Sequence, residues 1–314
     1  MTNFSPTLAV PAGDWQIDRI VAELRDVREA SLAARQRTGK PRKLPSRKAL
    51  AAIVEGCGAA LFPNRLGQRQ LARDSIDYFV GHTLDVTCRE LTEQVQIELQ
   101  FVSGQEFADD RQRDQAGQLV GRFAAALPAI RRLLETDILA AYEGDPAARS
   151  IDEVLACYPG ISAIIHHRLA HTLYRLELPL IARMIAELAH SATGIDIHPG
   201  AKIQGHFFID HGTGVVIGET AEIGERVRLY HGVTLGAKRF AVDDAGTLVK
   251  GNPRHPLVED DVVIYANATI LGRITIGRGS TIGGNVWLTR SVPPGTNVSQ
   301  ARVRSEAFEE GSGI

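Results

Sequence analysis

The chain has 314 residues, with 35 Lys and Arg against 37 Asp and Glu, for a formal net charge of −2. That length can bury a substantial core and suits one to three domains, and the charge balance gives no global electrostatic case for binding nucleic acid or a membrane surface. No apolar run reaches the ~18 residues that cross a bilayer, and the N-terminus lacks a basic segment followed by an apolar core. Three cysteines (Cys57, Cys88 and Cys157) lie far apart with no CxxC. This reads as reduced, cytoplasmic thiols rather than a disulfide framework or zinc site.

Residues 1–13 carry Pro6, Pro11 and Gly13 and read as a loose leader. Asp14 is an N-cap candidate for an amphipathic helix bearing Ile17, Ile20, Val21, Leu24 and Val27. From Arg35 to Lys48 the chain is basic without acidic residues, and no aromatic is interleaved for base stacking, so a solvated linker is expected. Ser46 to Tyr142 is helical in character, with apolar residues three and four apart and with Pro63 and Pro128 marking breaks or first turns. A turn at Gly144–Pro146, a helix near Ser150–Cys157 and two further helices lead to Thr193-Gly194.

From Ile195 to Pro293 an aliphatic residue returns every sixth position. Ile197, Ile203 and Ile209 begin the series, Ile217, Ile223, Leu229 and Leu235 follow after a two-residue slip, and Val258, Ile264, Ile270, Ile276, Ile282 and Leu288 resume it. Internal repeats outrank other signals. A period of six fits neither a helix nor an alternating strand; it fits a short strand and a turn with one side chain pointing inward. Three units close a triangular coil, coils stack at roughly 4.8 Å, and the thirteen units predict a little over four coils of a β-helix. A β-sandwich would instead show two-residue alternation.

Chemistry-bearing residues gather where the repeat is irregular: Asp196-Ile197-His198-Pro199, Asp210-His211-Gly212-Thr213-Gly214, Gly218-Glu219-Thr220, Val233-Thr234-Leu235-Gly236, and Arg254-His255-Pro256 at the end of a 22-residue interruption, Gly236 to Leu257. A loop of that length in a regular solenoid is usually functional. Asp196 and His211, 15 residues apart, are expected near one corner on adjacent layers, where a carboxylate would set the tautomer of an imidazole base. His198, His166, His167, His171 and His190 read as packing or solvated residues.

Helices followed by hexapeptide repeats, with DIHP, DHGTG, VIGET, VTLG and RHP in that order, resemble the serine O-acetyltransferases, closely over roughly residues 140–300. The resemblance implies an α+β fold with a left-handed parallel β-helix. The expected division is a leader and linker (1–45), a helical domain for oligomerisation and part of the serine site (46–194), the β-helix with its loop 236–257 (195–295) and a tail (296–314). It also implies acetyl transfer from acetyl-CoA to L-serine as the first step of cysteine biosynthesis, with no permanently bound cofactor and no metal. His211 would be the general base oriented by Asp196. Asp145, Asp210, Arg254 and His255 would bind serine, the arginine gripping its carboxylate, and CoA would contact Ala237, Ala266 and Gly284. Further implications are a homotrimer or hexamer and a partner, O-acetylserine sulfhydrylase, engaged by Ile314. Ala237 departs from the family's usual second glycine after VTLG, and the loop after Lys238 is longer than in many members.

Three alternatives stay open at this level. One is an acceptor such as homoserine or a sugar, another a hexapeptide carbonic anhydrase using His206, His211 and His231, and the third a non-catalytic scaffold for the sulfhydrylase.

Overall fold

The computed structural model describes residues 15–34, 42–67, 72, 75–104, 109–239, 243 and 246–300. The leader with Asp14, the basic stretch through residue 41, and the tail from residue 301 to Ile314 lie outside the described residues. The chain divides into two compact units, Met1–Lys43 and Leu44–Ile314. In the first, helix α1 (Ile17–Ala34) carries the stripe expected from the spacing, with Ile17, Leu24 and Val27 exposed.

The second unit begins with α2 (Arg47–Leu61), α3 (Ile76–Ser103) and α4 (Asp110–Gly144). Ser46 caps α2 by accepting the Ala49 N–H at 3.3 Å, and Asp109 caps α4 by accepting that of Gln112 at 2.8 Å. The expectation that Pro128 breaks the chain is corrected here, because α4 runs straight through it. Phe123 and Leu127 before the proline and Ile130 and Leu134 after it are buried on one stripe. Their burial, worth about 1.5–3 kcal/mol per large side chain, offsets the hydrogen bond that proline removes.

Three shorter helices follow: α5 (Ile151–Cys157), α6 (Pro159–Arg175) and α7 (Pro179–Thr193). Both α6 and α7 start on a proline, where a missing N–H costs no helical bond. The carboxylate of Glu98 on α3 accepts the N–H groups of Leu180 and Ile181 at 2.8 and 2.9 Å, supplying the cap that α7 lacks locally. Gly194, at φ 71°, ends α7 in the left-handed conformation.

The rest is a left-handed parallel β-helix with three faces. Face I stacks β1 (Asp196–Ile197), β4 (Val216–Ile217), β7 (Thr234–Gly236), β10 (Thr269–Leu271) and β13 (Trp287–Leu288). Face II stacks β2 (Lys202–Ile203), β5 (Glu222–Ile223), β8 (Leu257–Val258) and β11 (Thr275–Ile276), extended by a bridge from Ile276 to Val292. Face III stacks β3 (Phe208–Asp210), β6 (Arg228–Tyr230), β9 (Val263–Ile264), β12 (Thr281–Ile282) and β14 (Asn297–Val298). The aliphatic beat becomes three inward columns, such as Ile209, Leu229, Ile264, Ile282 and Val298 on face III.

These pairings make five layers rather than a little over four. The final unit, β14, pairs Asn297 with Thr281, 16 residues back, and so falls off the six-residue beat. The first layer is long instead: Asp196 pairs with Val216, which places the slip of the sequence at 211–214. The chain leaves the prism after β7 and rejoins it at β8, between faces I and II, separating Glu222 from its partner Leu257 by 35 positions.

Helices and prism share one hydrophobic core running from Leu50 to Val292, so 46–194 and 195–295 fold as parts of one unit. A buried ion pair ties them together. Arg168 on α6 meets Asp137 on α4 at 3.0 Å and also donates to the carbonyls of Ile203 and Gln204, while Asp137 accepts the Phe207 N–H at 3.0 Å. Among the described residues no helix is long and apolar enough to cross a membrane.

Candidate active site

Two polar clusters form on the prism, each at a different corner. The first lies between faces III and I, at the slip. Gly160, at the start of α6, lies against β3: a Cβ there would come within 2.3 Å of the Ile209 carbonyl oxygen. The close approach brings Asp145 and Tyr158 beside the end of that strand. The Tyr158 hydroxyl donates to Asp145 at 2.5 Å, and the Ala147 N–H donates to the same carboxylate at 2.8 Å. Those two bonds hold the Asp145 carboxyl below the usual carboxylate range, and its acceptance pushes the Tyr158 hydroxyl up to about 12.

Asp210 ends β3 and accepts from Arg228 on β6 at 2.7 Å. The Arg228 guanidinium lies over the rings of Phe208 and Tyr230 at 5.0 and 4.7 Å, so its direction is set by packing as well as charge. His211 follows at φ 59°, a left-handed turn that histidine tolerates better than branched residues. Its side chain is 75 % exposed, and its Nε2 lies 3.9 Å from Asp210. One layer up, His231 meets His211 edge to face at 5.8 Å.

No hydrogen bond joins Asp196 to His211 among the described residues. The slip does pass over the start of β1, since the Gly214 N–H donates to the Gly194 carbonyl at 2.8 Å. Strand alternation, however, turns Asp196 outward between the buried Ile195 and Ile197. Its carboxylate gathers with Glu187 and His190 of α7, their ligand-type atoms within 4.8 Å of one another. Arg183 also holds Glu187, at 2.9 Å. The carboxylate beside His211 is Asp210.

The second cluster lies between faces I and II, where the loop rejoins the prism. The Thr220 hydroxyl accepts the N–H groups of Arg254 and His255 at 2.9 and 3.1 Å, and the Thr220 N–H donates to His255 Nδ1 at 3.0 Å. That bond puts the His255 proton on Nε2. Burial, helped by the neighbouring Arg254, pushes the imidazole down to about 4. Glu219 binds Arg254 at 2.6 Å and accepts from the Tyr174 hydroxyl at 3.0 Å. Burial pushes the Glu219 carboxyl up, but these two partners outweigh it and hold it below its usual range. His198 packs edge-on against Tyr174 at 5.7 Å, with its Nδ1 accepting the Gly200 N–H at 3.0 Å.

The structure therefore brings Asp145, Asp210 and His211 together and holds Arg254 and His255 together, but separates the two sets within one chain. Ala266 and Gly284 lie on the His211 corner, the Asn285 N–H donating to the Ala266 carbonyl at 2.9 Å, whereas Ala237 stands at the other corner where the loop departs. His206 turns between β2 and β3, on the third corner, apart from His211 and His231. Sequence reading missed Arg228 and Tyr158, and named His231 only as a metal ligand of the carbonic anhydrase alternative. Arg228 and His231 were detectable as residues 20 positions after Phe208 and His211, the offset of the long first layer; Tyr158 gave no such signal, because α6 meets β3 only in three dimensions.

Residues 255–290 match the family model described as bacterial transferase hexapeptide (six repeats). The plasmid serine acetyltransferase of Synechococcus elongatus is 56 % identical over 304 residues, covering 96 % of this chain and 95 % of the relative. A serine acetyltransferase of Mycobacterium tuberculosis is 52 % identical over 158 residues, half of this chain and 65 % of its own. Among solved structures, Entamoeba histolytica serine acetyltransferase isoform 3, in complex with cysteine, superposes with a TM-score of 0.69 at 35 % identity, covering 87 % of both chains. Soybean serine acetyltransferase complexed with serine gives 0.51 at 29 % identity over 81 % of this chain and 96 % of that one.

Proposed function

This chain belongs to the serine acetyltransferase family, and on that premise we propose that it moves the acetyl group of acetyl-CoA to the hydroxyl of L-serine at the His211 corner, the first step of cysteine biosynthesis. The observation that carries the site assignment is the meeting of Asp145, Asp210 and His211 at the slip, where the regular prism is interrupted. His211 takes the proton from the serine hydroxyl, whose oxygen attacks the thioester carbon directly. The tetrahedral intermediate collapses, the C–S bond breaks, and the departing thiolate recovers the proton from His211. Asp145, kept ionised by Tyr158 and Ala147, binds the serine ammonium. Acetyl-CoA is a substrate, lying along the same corner past Ala266 and Gly284.

Arg254 and His255 reach that serine from a second copy of the chain. A contact pairing the I–II corner of one prism with the III–I corner of the next is heterologous, and such contacts close into rings. Three prisms closing in this way give a homotrimer with three composite sites. The separation of the two clusters supports this reading, since one chain alone leaves the serine carboxylate without its arginine. The C-terminal Ile314 is assigned to the sulfhydrylase partner on its sequence alone.

CoA release measured with L-serine, L-homoserine and a galactoside as acceptors tests the assignment. L-Serine is expected to be preferred, and His211→Ala to lower kcat by about 10²–10⁴. An unaltered kcat in that variant would sink the role given to His211.

A further inference from the structure

Helix α1 has no role in the reaction described above. None of its residues is buried, and Ile17, Ile20, Val21, Leu24 and Val27 are each 44–65 % exposed. A helix of 18 residues holds its shape in water mainly by packing an amphipathic face. This stripe therefore calls for a partner.

The stripe has a seven-residue beat. With Ile17 at the first core position, Ile20, Leu24 and Val27 fill the next ones at alternating spacings of three and four, and Val21 widens the seam. Asp18, Arg25, Asp26 and Glu29 fall on the opposite side. Ser31 and Ala34 take the last core positions, so the seam is strong only over its first two heptads. The acids Asp18, Glu23, Asp26 and Glu29 outnumber the arginines Arg19, Arg25 and Arg28. A helix that lies on a lipid surface carries a basic polar face instead.

Two features choose among protein partners. Glu23 and Arg28 flank the seam on its two sides, five residues apart. A parallel, in-register pairing sets Glu23 of one helix beside Arg28 of the next, whereas an antiparallel one sets each charge against its own kind. Arg19, 2.8 Å from Glu23 along the same helix, leaves that carboxylate further acceptor sites. Isoleucine at both core positions of the first heptad favours more than two strands.

We infer that α1 is an interaction surface for other copies of this chain, three α1 helices winding into a short parallel coiled coil. This rests on the homotrimer proposed above. Two heptads are too few to hold three separate helices together in dilute solution. Prisms joined in a trimer keep their N-terminal segments at an effective concentration on the order of millimolar.

Oxidative cross-linking of the full chain tests this. In a parallel, in-register coil each core position meets its own copies, so V27C is expected to form a disulfide-linked dimer. A22C, on the outer face, is expected to link no faster than wild type, whose Cys57, Cys88 and Cys157 set the background. Adding E23R to V27C is expected to slow linkage several-fold, and adding R28E to that pair to restore it by exchanging the two charges. V27C that links no faster than A22C overturns the inference, as does linkage indifferent to E23R. Light scattering of wild type separates the two readings. A monomer in solution defeats the trimer itself, whereas a trimer in which V27C fails to link defeats only the coil.

Discussion

The His255 ring fills the space where a side chain at Gly218 would begin: a Cβ on Gly218 would lie 2.0 Å from His255 Cδ2. The glycine of the VIGET motif is therefore a seat for the histidine of RHP, and the two motifs are halves of one structure. Gly218→Ala is expected to push His255 off the Thr220 N–H, raise serine KM several-fold and cost about 1–3 kcal/mol of stability. Kinetics and thermal unfolding of the variant check both; a wild-type KM would remove His255 from serine binding.

The same histidine predicts how stability depends on pH. Folded His255 stays neutral down to about 4, whereas in the unfolded chain it takes up a proton near 6.5. Between these values the unfolded state binds more protons, so stability falls as pH is lowered through that window and is complete above it. His167, fully buried and held well below its ordinary value by that burial, acts with the same sign. Melting temperature should be level above neutrality and fall from about pH 6.5 toward 4, with a shallower fall in His255→Asn. An unchanged slope in that variant would contradict the assignment.

Arg168 and Asp137 join helices to prism from a dry site, 5 % and 0 % exposed. Arg168→Met removes the counterion of a buried carboxylate and strips the Ile203 and Gln204 carbonyls of a donor. The expected loss is about 3–5 kcal/mol, read as a lower urea midpoint. A loss under about 1 kcal/mol would mean that water reaches Asp137.

Asp196 and Asp210 are the two carboxylates that could orient the imidazole of His211, and substitution separates them. Asp196→Asn is expected to lower kcat about tenfold or more, as for a carboxylate orienting the base, with serine KM little changed. Asp210→Asn is expected to raise serine KM, because it also releases Arg228. If Asp196→Asn leaves kcat intact, Asp210, 3.9 Å from the imidazole, is the orienting group.

How much of the fold was legible in the sequence follows from locality. Ser46, Ser150 and Gly194 announce helix ends through bonds made within a few residues, and the six-residue beat states the prism because every unit repeats one local geometry. Pro128 misled because a long buried stripe overrode a local preference, and β14 was missed because it pairs across 16 residues.

By itself the sequence determined the class of fold, the place where the repeat breaks, and the residue types gathered at DHGTG and RHP, since all of these depend on short spacings. Only the tertiary structure decided that the His211 corner and the Arg254 corner are different corners of one prism. A 20-residue first layer, a loop that separates Glu222 from Leu257 and the approach of α6 to β3 set those positions. They are sums of geometry over whole coils, which no local spacing records.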